Sequence, residues 1–588
     1  MTKKVFNMRR KYYIVLAAGM LLSLSSCSDS FLDKNPDERT EINTPEKVTS
    51  LLVSAYPDNN PATICEFSSD NIIDNNAHHS YWDREAGRLR TMYYNLNSYS
   101  RADDEAFKFE PIVSSTQQDS PTGLWSSYYH AIATANHALR ALDEIAAQNG
   151  GVYTPQMNAS KGEALMIRAF SHFMLVNIFS QAYKDSVSSK ADVGVPYVTQ
   201  VEDKVLVHYD RSNVAEVYKK IKQDLEEALP LITDQYYTQP KWHFNVKAAH
   251  AFASRFYLFT RDYDKVIEHA NAVLGTDPST LPSQLINYST FAKDQNLTNY
   301  VNHWAGSDVS NNIMLIDTYS NMWLHVAGGR RYSHNAEAAH ATINRTWPTC
   351  DYTVLPAAIS SGLYKNGNQD YGLVWARNCG PVFQYEDRQA GIGYYHVIRT
   401  EFTNTEVLLN RAEAELLCSR HDSLAALADI QAIENSRQTT STYNDGFSPL
   451  TKALVDRYWT YPGDRNAKYN QQRAGQSLYE SWDFTQNMSS SFVVPKDCEK
   501  WMNLIQDYRR TEMLFSGMRF FDLKRFGIEY THVYGPDDVK YTLKWNDPRR
   551  AIEVPADALA AGLESSRPAT AAETPTKVSS SYIQKTVK

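Results

Sequence analysis

After residue 26 the chain holds no run of the roughly 20 apolar residues that a bilayer-spanning helix needs, so the body is expected to be soluble and any membrane anchor to be something other than a helix. Cysteine is scarce, with six in 588 residues. No C-x-x-C pair occurs, which argues against zinc sites and redox motifs. Also missing are a G-x-S-x-G elbow, an H-E-x-x-H helix and a phosphate-cradling loop. A glycosidase needs two carboxylates about 5–9.5 Å apart, and nothing singles out a pair among 67 acidic residues. His334 and His340 are six apart in HNAEAAH rather than four, and His78-His79 are adjacent, so both groups read as polar loop histidines. No enzyme activity, metal or cofactor is expected. Positive charge is short as well. Five of the 59 basic residues lie in the first eleven positions, and without them the net charge moves from −8 to about −13. That disfavours nucleic acid, which is held mainly by Lys and Arg on phosphates, and argues more weakly against an anionic polymer.

What is present begins with the N-terminus. Lys3, Lys4, Arg9, Arg10 and Lys11 precede an apolar stretch from Tyr12 to Leu24, and Leu24-Ser25-Ser26-Cys27 closes it. A charged segment, a short apolar segment and a small-residue cleavage site make a secretory signal, and the cysteine directly after it resembles a bacterial lipobox. Residues 1–26 are therefore predicted to be removed and Cys27 to carry lipid. A single acyl chain anchors only marginally, whereas several make attachment effectively permanent. Of the five other cysteines, Cys65, Cys350, Cys379, Cys418 and Cys498, at least one is expected to be a free, buried thiol because their number is odd.

Residues 27–43 are polar and acidic and read as a tether. Thr44-Pro45-Glu46 carries the marks of a helix start. Residues 57–123 read as loops with short elements. Leu124–Gln148 has helical apolar spacing without Pro or Gly, and Glu163–Phe179 is apolar nearly all round, which predicts cover on two sides. Ser212 is placed to cap a helix running to about Leu231, with Glu216 and Lys220 as an i,i+4 pair. Residues 252–278 read as helix, tight turn at Thr260-Arg261-Asp262, second helix and a stop at Pro278, with small Ala253 and Ala270 where the helices approach. The pattern resembles a tetratricopeptide repeat. A second helical hairpin is expected over Thr405–Arg437. Residues 279–398 and 438–496 are rich in Asn, Ser, Gly, Tyr and Trp without clear periodicity, and their aromatic content argues against disorder. The fold class is mostly α: a tetratricopeptide-like helical-pair scaffold with an inserted irregular, loop-rich subdomain. The expected divisions are 44–278, 279–398 and 399–588.

Several segments, in order, resemble the SusD/RagB family of Bacteroidetes outer-membrane lipoproteins. They are CSDSFLDKNPDERTEI (27–42), GEALMIRAFSHFMLVNIF (162–179), GVPYV (194–198), RSNVAEVYKKIKQDLEEALPLI (211–232), IRTEFTNTEVLLNRAEAELL (398–417), RRTEMLFSGMRFFDLKRFG (509–527) and DPRRAIEVP (547–555). Residues 279–398 match nothing in that pattern, and the NPGY-like tail is missing after Pro555. The resemblance implies a non-enzymatic, lipid-anchored surface protein that caps a SusC-like TonB-dependent transporter and captures a glycan, or in some members a peptide. Ser28-Asp29-Ser30 is similar to the short signal that sends such lipoproteins to the outer face. Rival readings are a peptide binder on the same scaffold, a surface glycoside hydrolase and a purely protein-binding scaffold.

A sugar site needs rings to cover apolar C–H faces and directional polar groups for the hydroxyl rim. The chain is rich in rings, with 38 Tyr, 22 Phe and 11 Trp. Two stretches combine them with Asn and Arg. Residues 78–99 supply Tyr81, Trp82, Arg84 and Asn97, and residues 300–347 supply Trp304, Tyr319, Trp323 and Arg330. These eight are the predicted ligand contacts. For each ring the ordinary alternative is core packing. Trp125, Trp459, Trp482, Trp501 and the rings of RFFDL are assigned to packing.

Overall fold

The computed structural model of the chain describes residues 42–83, 88–202, 209–286, 297–326, 329–335, 338, 342, 358–366, 369–376, 380–436, 450–455 and 492–567. Helix α1 (Pro45–Val53) starts at the expected proline. Short elements follow: α2 (Ala62–Phe67), strands β1 (Ile73–Asp74), β2 (His79–Asp83) and β3 (Arg88–Met92), and α3 (Arg101–Phe107). Then come the long helices α4 (Pro121–Gln148) and α5 (Pro155–Phe179). Each of these two begins with a hydroxyl residue before a proline. Ser120 accepts from the Gly123 amide and Thr154 from the Met157 amide, so an orphan N–H is satisfied and the proline occupies a position where it loses no bond. Helix α6 (Val214–Ala228) is capped by Asn213, which accepts from the Glu216 amide at 3.0 Å, and not by Ser212, whose hydroxyl donates to Val195 O instead. Both side chains offer an acceptor, and the one a residue nearer the first turn takes the role. Glu216 pairs with Lys219 rather than Lys220, whose ammonium lies over the Tyr197 ring.

Helices α7 (Val246–Thr260) and α8 (Tyr263–Leu274) form the predicted hairpin. Arg261, in the left-handed region at φ 62°, makes the turn. The next elements are α9 (Leu297–Trp304), β4 (Asn312–Thr318), α10 (Met322–His325), β5 (Tyr332–Ser333), β6 (Ala358–Asn366), β7 (Gln369–Ala376), β8 (Val382–Asp387) and β9 (Ile392–Thr403). A second helical hairpin, α11 (Asn404–Leu417) and α12 (Ser423–Ser436), follows. The last elements used below are α13 (Glu499–Glu512), α14 (Met518–Phe526), β10 (Tyr530–Tyr534) and β11 (Val539–Leu543). Consecutive helices pack as pairs: α4 on α5, α5 on α6, α7 on α8 and α11 on α12. Helices α8 and α11 join two of these hairpins. The architecture is mostly α and tetratricopeptide-like. The stretch read as irregular contributes β4 and most of a three-stranded antiparallel sheet of order β4-β9-β8.

Helix α5 is buried all round, as its composition requires, from Leu165 through Phe170 and Phe173 to Phe179. Phe170 meets Phe244, Phe252 and Phe402, and Phe173 meets Phe252, Phe256 and Phe259, mostly edge to face. Each such ring, taken from water, contributes about 1.5–3 kcal/mol. Cys65, Cys418 and Cys498 are free and buried. Phe520 and Phe521 of RFFDL and Trp501 are core residues.

Charge is buried in this core too. Arg255 on α7 is 1 % exposed. Its guanidinium donates to both Glu406 oxygens at 2.6 and 2.7 Å, and to the Glu401 carboxylate and carbonyl at 2.6 and 2.7 Å. It also lies 4.2 Å over the Phe402 ring. Arg399 takes the other Glu401 oxygen and reaches Asn60 Oδ1 and Ser516 O. Burial alone would push Glu401 up, but Arg399 and Arg255 hold it below its ordinary value. One arginine thus ties α7 to the end of β9 and the first turn of α11.

Removing one partner of a buried pair strands the other and costs about 3–5 kcal/mol. Arg255→Met is therefore expected to lower stability by about that amount in chemical unfolding. A change below about 1 kcal/mol would show that the network is dispensable. Lys524 gives a pH signature. It is 2 % exposed, donates to Asn177 O and Ser180 O at the end of α5, and burial pulls its ammonium down to about 7. Between about 7 and 10.5 the unfolded chain binds the extra proton, so this group's contribution to stability rises with pH across that window and is flat below it. The melting temperature of the wild-type protein relative to Lys524→Met should rise between pH 7 and pH 9. A pH-independent difference would refute the assignment.

Candidate functional site

Strand β9 runs from the core to the surface. Its inner half is held by Phe402, Glu401 and Val397, all buried, and by β4, with Thr318 opposite Val397. Among the described residues its outer half pairs only with β8: Phe383 faces Tyr395, Gln384 faces Tyr394 and Tyr385 faces Gly393. Alternation then puts Phe383, Tyr385 and Tyr395 on one face of the hairpin and Tyr394 and His396 on the other. On the first face the ring centroids of Tyr385 and Phe383, and of Phe383 and Tyr395, are each 4.9 Å apart, both edge to face. Trp323 follows, 6.5 Å from Tyr395. Tyr385 is 52 % exposed and Tyr395 61 %, so packing does not account for them. Gly393 shapes this face, because a Cβ there would meet Gln384 O at 2.0 Å. No cross-strand side chain therefore stands opposite Tyr385.

The second face carries Tyr319, 42 % exposed, whose ring lies 6.0 Å from that of Tyr394. His396 is 5.9 Å beyond Tyr394 and bonds Asp317. The segment 319–325 therefore presents Tyr319 to one face and Trp323 to the other. Three contacts hold it. Tyr319 N donates to Asp58 O at 2.6 Å. Asp119, a buried aspartate at φ 62°, accepts from Thr63 Oγ1 at 2.7 Å, Ser320 Oγ at 2.7 Å and Asn321 N at 2.6 Å. His325, at the end of α10, bonds both oxygens of Asp103. Burial opposes the protonation of His325, but the Asp103 carboxylate outweighs it and raises the pKa.

Of the predicted contacts, Tyr319 and Trp323 meet at this hairpin. Arg330 is half-buried, and its carbonyl accepts from Asn75. The next amide, Arg331 N, bonds Ser98 O, one residue from exposed Asn97, so Arg330 and Asn97 lie on neighbouring stretches. Tyr81 and Trp82 lie on β2, in register with Arg90 and Leu89 of β3. Arg84 and Cys27 lie outside the described residues, as does His340. Trp304 is corrected. It is 5 % exposed and packs with Ile286 and Tyr300, because the last turn of α9 faces inward, so its ring is not a platform. The small cleft that it borders is lined by Arg255, Arg399, Glu401, Glu406 and Glu512, and the first four of these bond one another. This is a structural charge network. His334 is buried between Asn71 O and Thr342 Oγ1, and burial pulls it down to about 3. Among the described residues no group of three or more His, Cys, Asp or Glu is placed to hold a metal ion.

Phe383, Tyr385, Tyr394 and Tyr395 were not among the residues selected from the sequence. The available signal was VFQYEDRQAGIGYYHV, two ring-bearing segments around a Gly-containing turn, which is the mark of a hairpin.

The helical pairing, the order of elements and the interposed sheet define a known fold. The chain shares it with a SusD superfamily protein from Bacteroides fragilis (TM-score 0.54, 15 % identity, 88 % of this chain and 98 % of that one). A SusD superfamily protein from Bacteroides vulgatus is similar (0.52, 16 %, 90 % and 100 %), as is a SusD-like carbohydrate binding protein from the same species (0.50, 16 %, 90 % and 98 %). Residues 30–258 match the SusD-like family described as starch-binding and associating with the outer membrane. No curated protein matches it. Among the described residues no helix is long and apolar enough to cross a membrane.

Asp119→Ala removes the acceptor that orders Ser320 and Asn321 and leaves buried donors unpaired, at about 1–3 kcal/mol. Amide exchange over residues 319–325 should accelerate by roughly tenfold or more, while that of α5 changes only with global stability. Unchanged exchange over 319–325 would show that Asp119 does not hold the segment.

Proposed function

We propose that the protein is a glycan-binding surface lipoprotein that captures an oligosaccharide or polysaccharide and passes it to a SusC-like TonB-dependent transporter. One observation carries the reading: the run of rings Trp323, Tyr395, Phe383 and Tyr385, the two tyrosines exposed and the other two half-buried, along one face of a hairpin rooted in the core. Consecutive sugar rings can lie on such a run, each covering an apolar face. Aromatic side chains have few torsions to freeze on binding. The family description, starch-binding and associating with the outer membrane, and the carbohydrate-binding relative support the same reading. Tyr81, Trp82, Arg84, Asn97 and Arg330 are proposed to add polar and stacking contacts at the margin. Mechanism is capture without chemistry. Lipid on Cys27 holds the protein at the outer membrane, the 27–43 stretch is the leash, and the body acts as a lid over the transporter mouth. Modest affinity suffices, because lid and transporter together raise the local ligand concentration.

Calorimetric titration of the detergent-solubilised full-length protein against a panel of oligosaccharides and peptides, with the same mixtures assayed for cleavage, tests the reading. A glycan should bind without being shortened. Trp323→Ala and Tyr395→Ala should each weaken binding roughly tenfold, about 1.4 kcal/mol, with little change in melting temperature. Peptide binding in place of sugar, or release of shorter sugars, would refute the reading, and undiminished affinity in both variants would exclude this face.

A further inference from the structure

The two faces of the β8–β9 hairpin differ in charge. The Trp323 face presents rings. The Tyr394 face presents two rings and carboxylates. Tyr319 and Tyr394 form a notch, with centroids 6.0 Å apart and planes inclined by 46°. Asp317 stands beside it on β4. One of its oxygens takes the His396 imidazole, and its side chain remains 49 % exposed. Asp58 contributes the carbonyl that fixes Tyr319, and its own exposed carboxylate is turned to solvent with Asn59 as its neighbour. Glu386 is exposed and stands two residues after Gln384, the residue opposite Tyr394, at the break in register between Tyr385 and Asp387. All three carboxylates are close enough to act on the Tyr319 phenol. Its pKa is raised by burial first, then by Tyr394 and these carboxylates. The notch thus sets three carboxylates against one imidazole, which is already committed to Asp317.

Two electron-rich ring faces with carboxylates around them suit a cation. An ammonium within about 6 Å of a tyrosine centroid is attracted by the ring quadrupole, and nearby carboxylates add Coulombic attraction that salt weakens. A sulfate or uronate at the same place would meet repulsion. We propose that the Tyr319–Tyr394 notch is a subsite for a protonated primary amine on the captured glycan, so that the protein prefers an amino sugar with a free amine. The inference rests on the glycan-binding reading and deepens it. The Trp323 face holds sugar rings whatever their charge, and the Tyr394 face selects among them. A lysine side chain offers the same ammonium from a peptide, and the experiment separates the two sources.

The test titrates the detergent-solubilised full-length protein at pH 6 and low ionic strength with the tetramer of glucosamine, the tetramer of N-acetylglucosamine, cellotetraose and tetralysine. The glucosamine tetramer should bind at least tenfold more tightly than the N-acetylated one, and the ratio should shrink as salt is raised. In the double variant Asp317→Asn, Glu386→Gln the ratio should fall to about twofold, with the N-acetylated tetramer bound as before. Equal binding of the N-acetylated or the neutral tetramer would overturn the amine subsite and leave glycan capture standing. Tetralysine binding without any sugar binding would overturn both. Absence of all binding would overturn the subsite, while glycan capture would be judged on the broader panel.

Discussion

The structure depends on one buried guanidinium. Arg255 reaches Glu401 at the end of β9 and Glu406 in the first turn of α11, so it joins a strand and a helix to a third element at the point where the chain turns from one to the other. A hydrophobic contact there would be non-directional. The bidentate fork fixes both distance and angle, and a strand leaving the core in a defined direction needs both. Phe402, clamped beneath the guanidinium and among Phe170, Phe244 and Phe252, adds apolar burial to the same junction. What leaves that junction toward solvent is the hairpin with the exposed rings.

The helical scaffold was readable in the sequence because its signals are local. The 252–278 hairpin carries small residues at the crossing and α5 is apolar on every side, whereas the hydroxyl-proline starts at Ser120-Pro121 and Thr154-Pro155 lie ahead of the expected Leu124 and Glu163. The misreadings were small and also local, as with Asn213 in place of Ser212. The sheet was not readable. Six of seven β4 residues are buried, so the strand lacks the alternation of a half-exposed strand. Strand β9 changes character along its length, exposed at one end and buried at the other, and such a strand has no single period.

The site was half legible for the same reason. Tyr319 and Trp323 stood in a ring-rich stretch with Asn and Arg, and composition sufficed to select them. Composition selected Trp304 equally, and only the inward turn of α9 separates it from Trp323. The rings of β8 and β9 gain their meaning from cross-strand register, which pairs Phe383 with Tyr395 across a turn. A list of aromatic residues does not contain that information. The acidic character of the opposite face is less legible still, since Asp58, Asp317 and Glu386 come from three distant parts of the chain.

The position of β8 has a further consequence. In the order β4-β9-β8 it is the outer strand, and an outer strand bearing exposed rings invites pairing with the same strand of another molecule. The hairpin carries deterrents at its tip. The register breaks between Tyr385 and Asp387, which interrupts the ladder a second copy would extend, and Glu386 and Asp387 put like charges where two such edges would meet. The carboxylate of Glu386, which also serves the Tyr394 face, thus helps keep an adhesive surface from adhering to its own kind, a requirement that becomes more severe the more closely such molecules are crowded side by side.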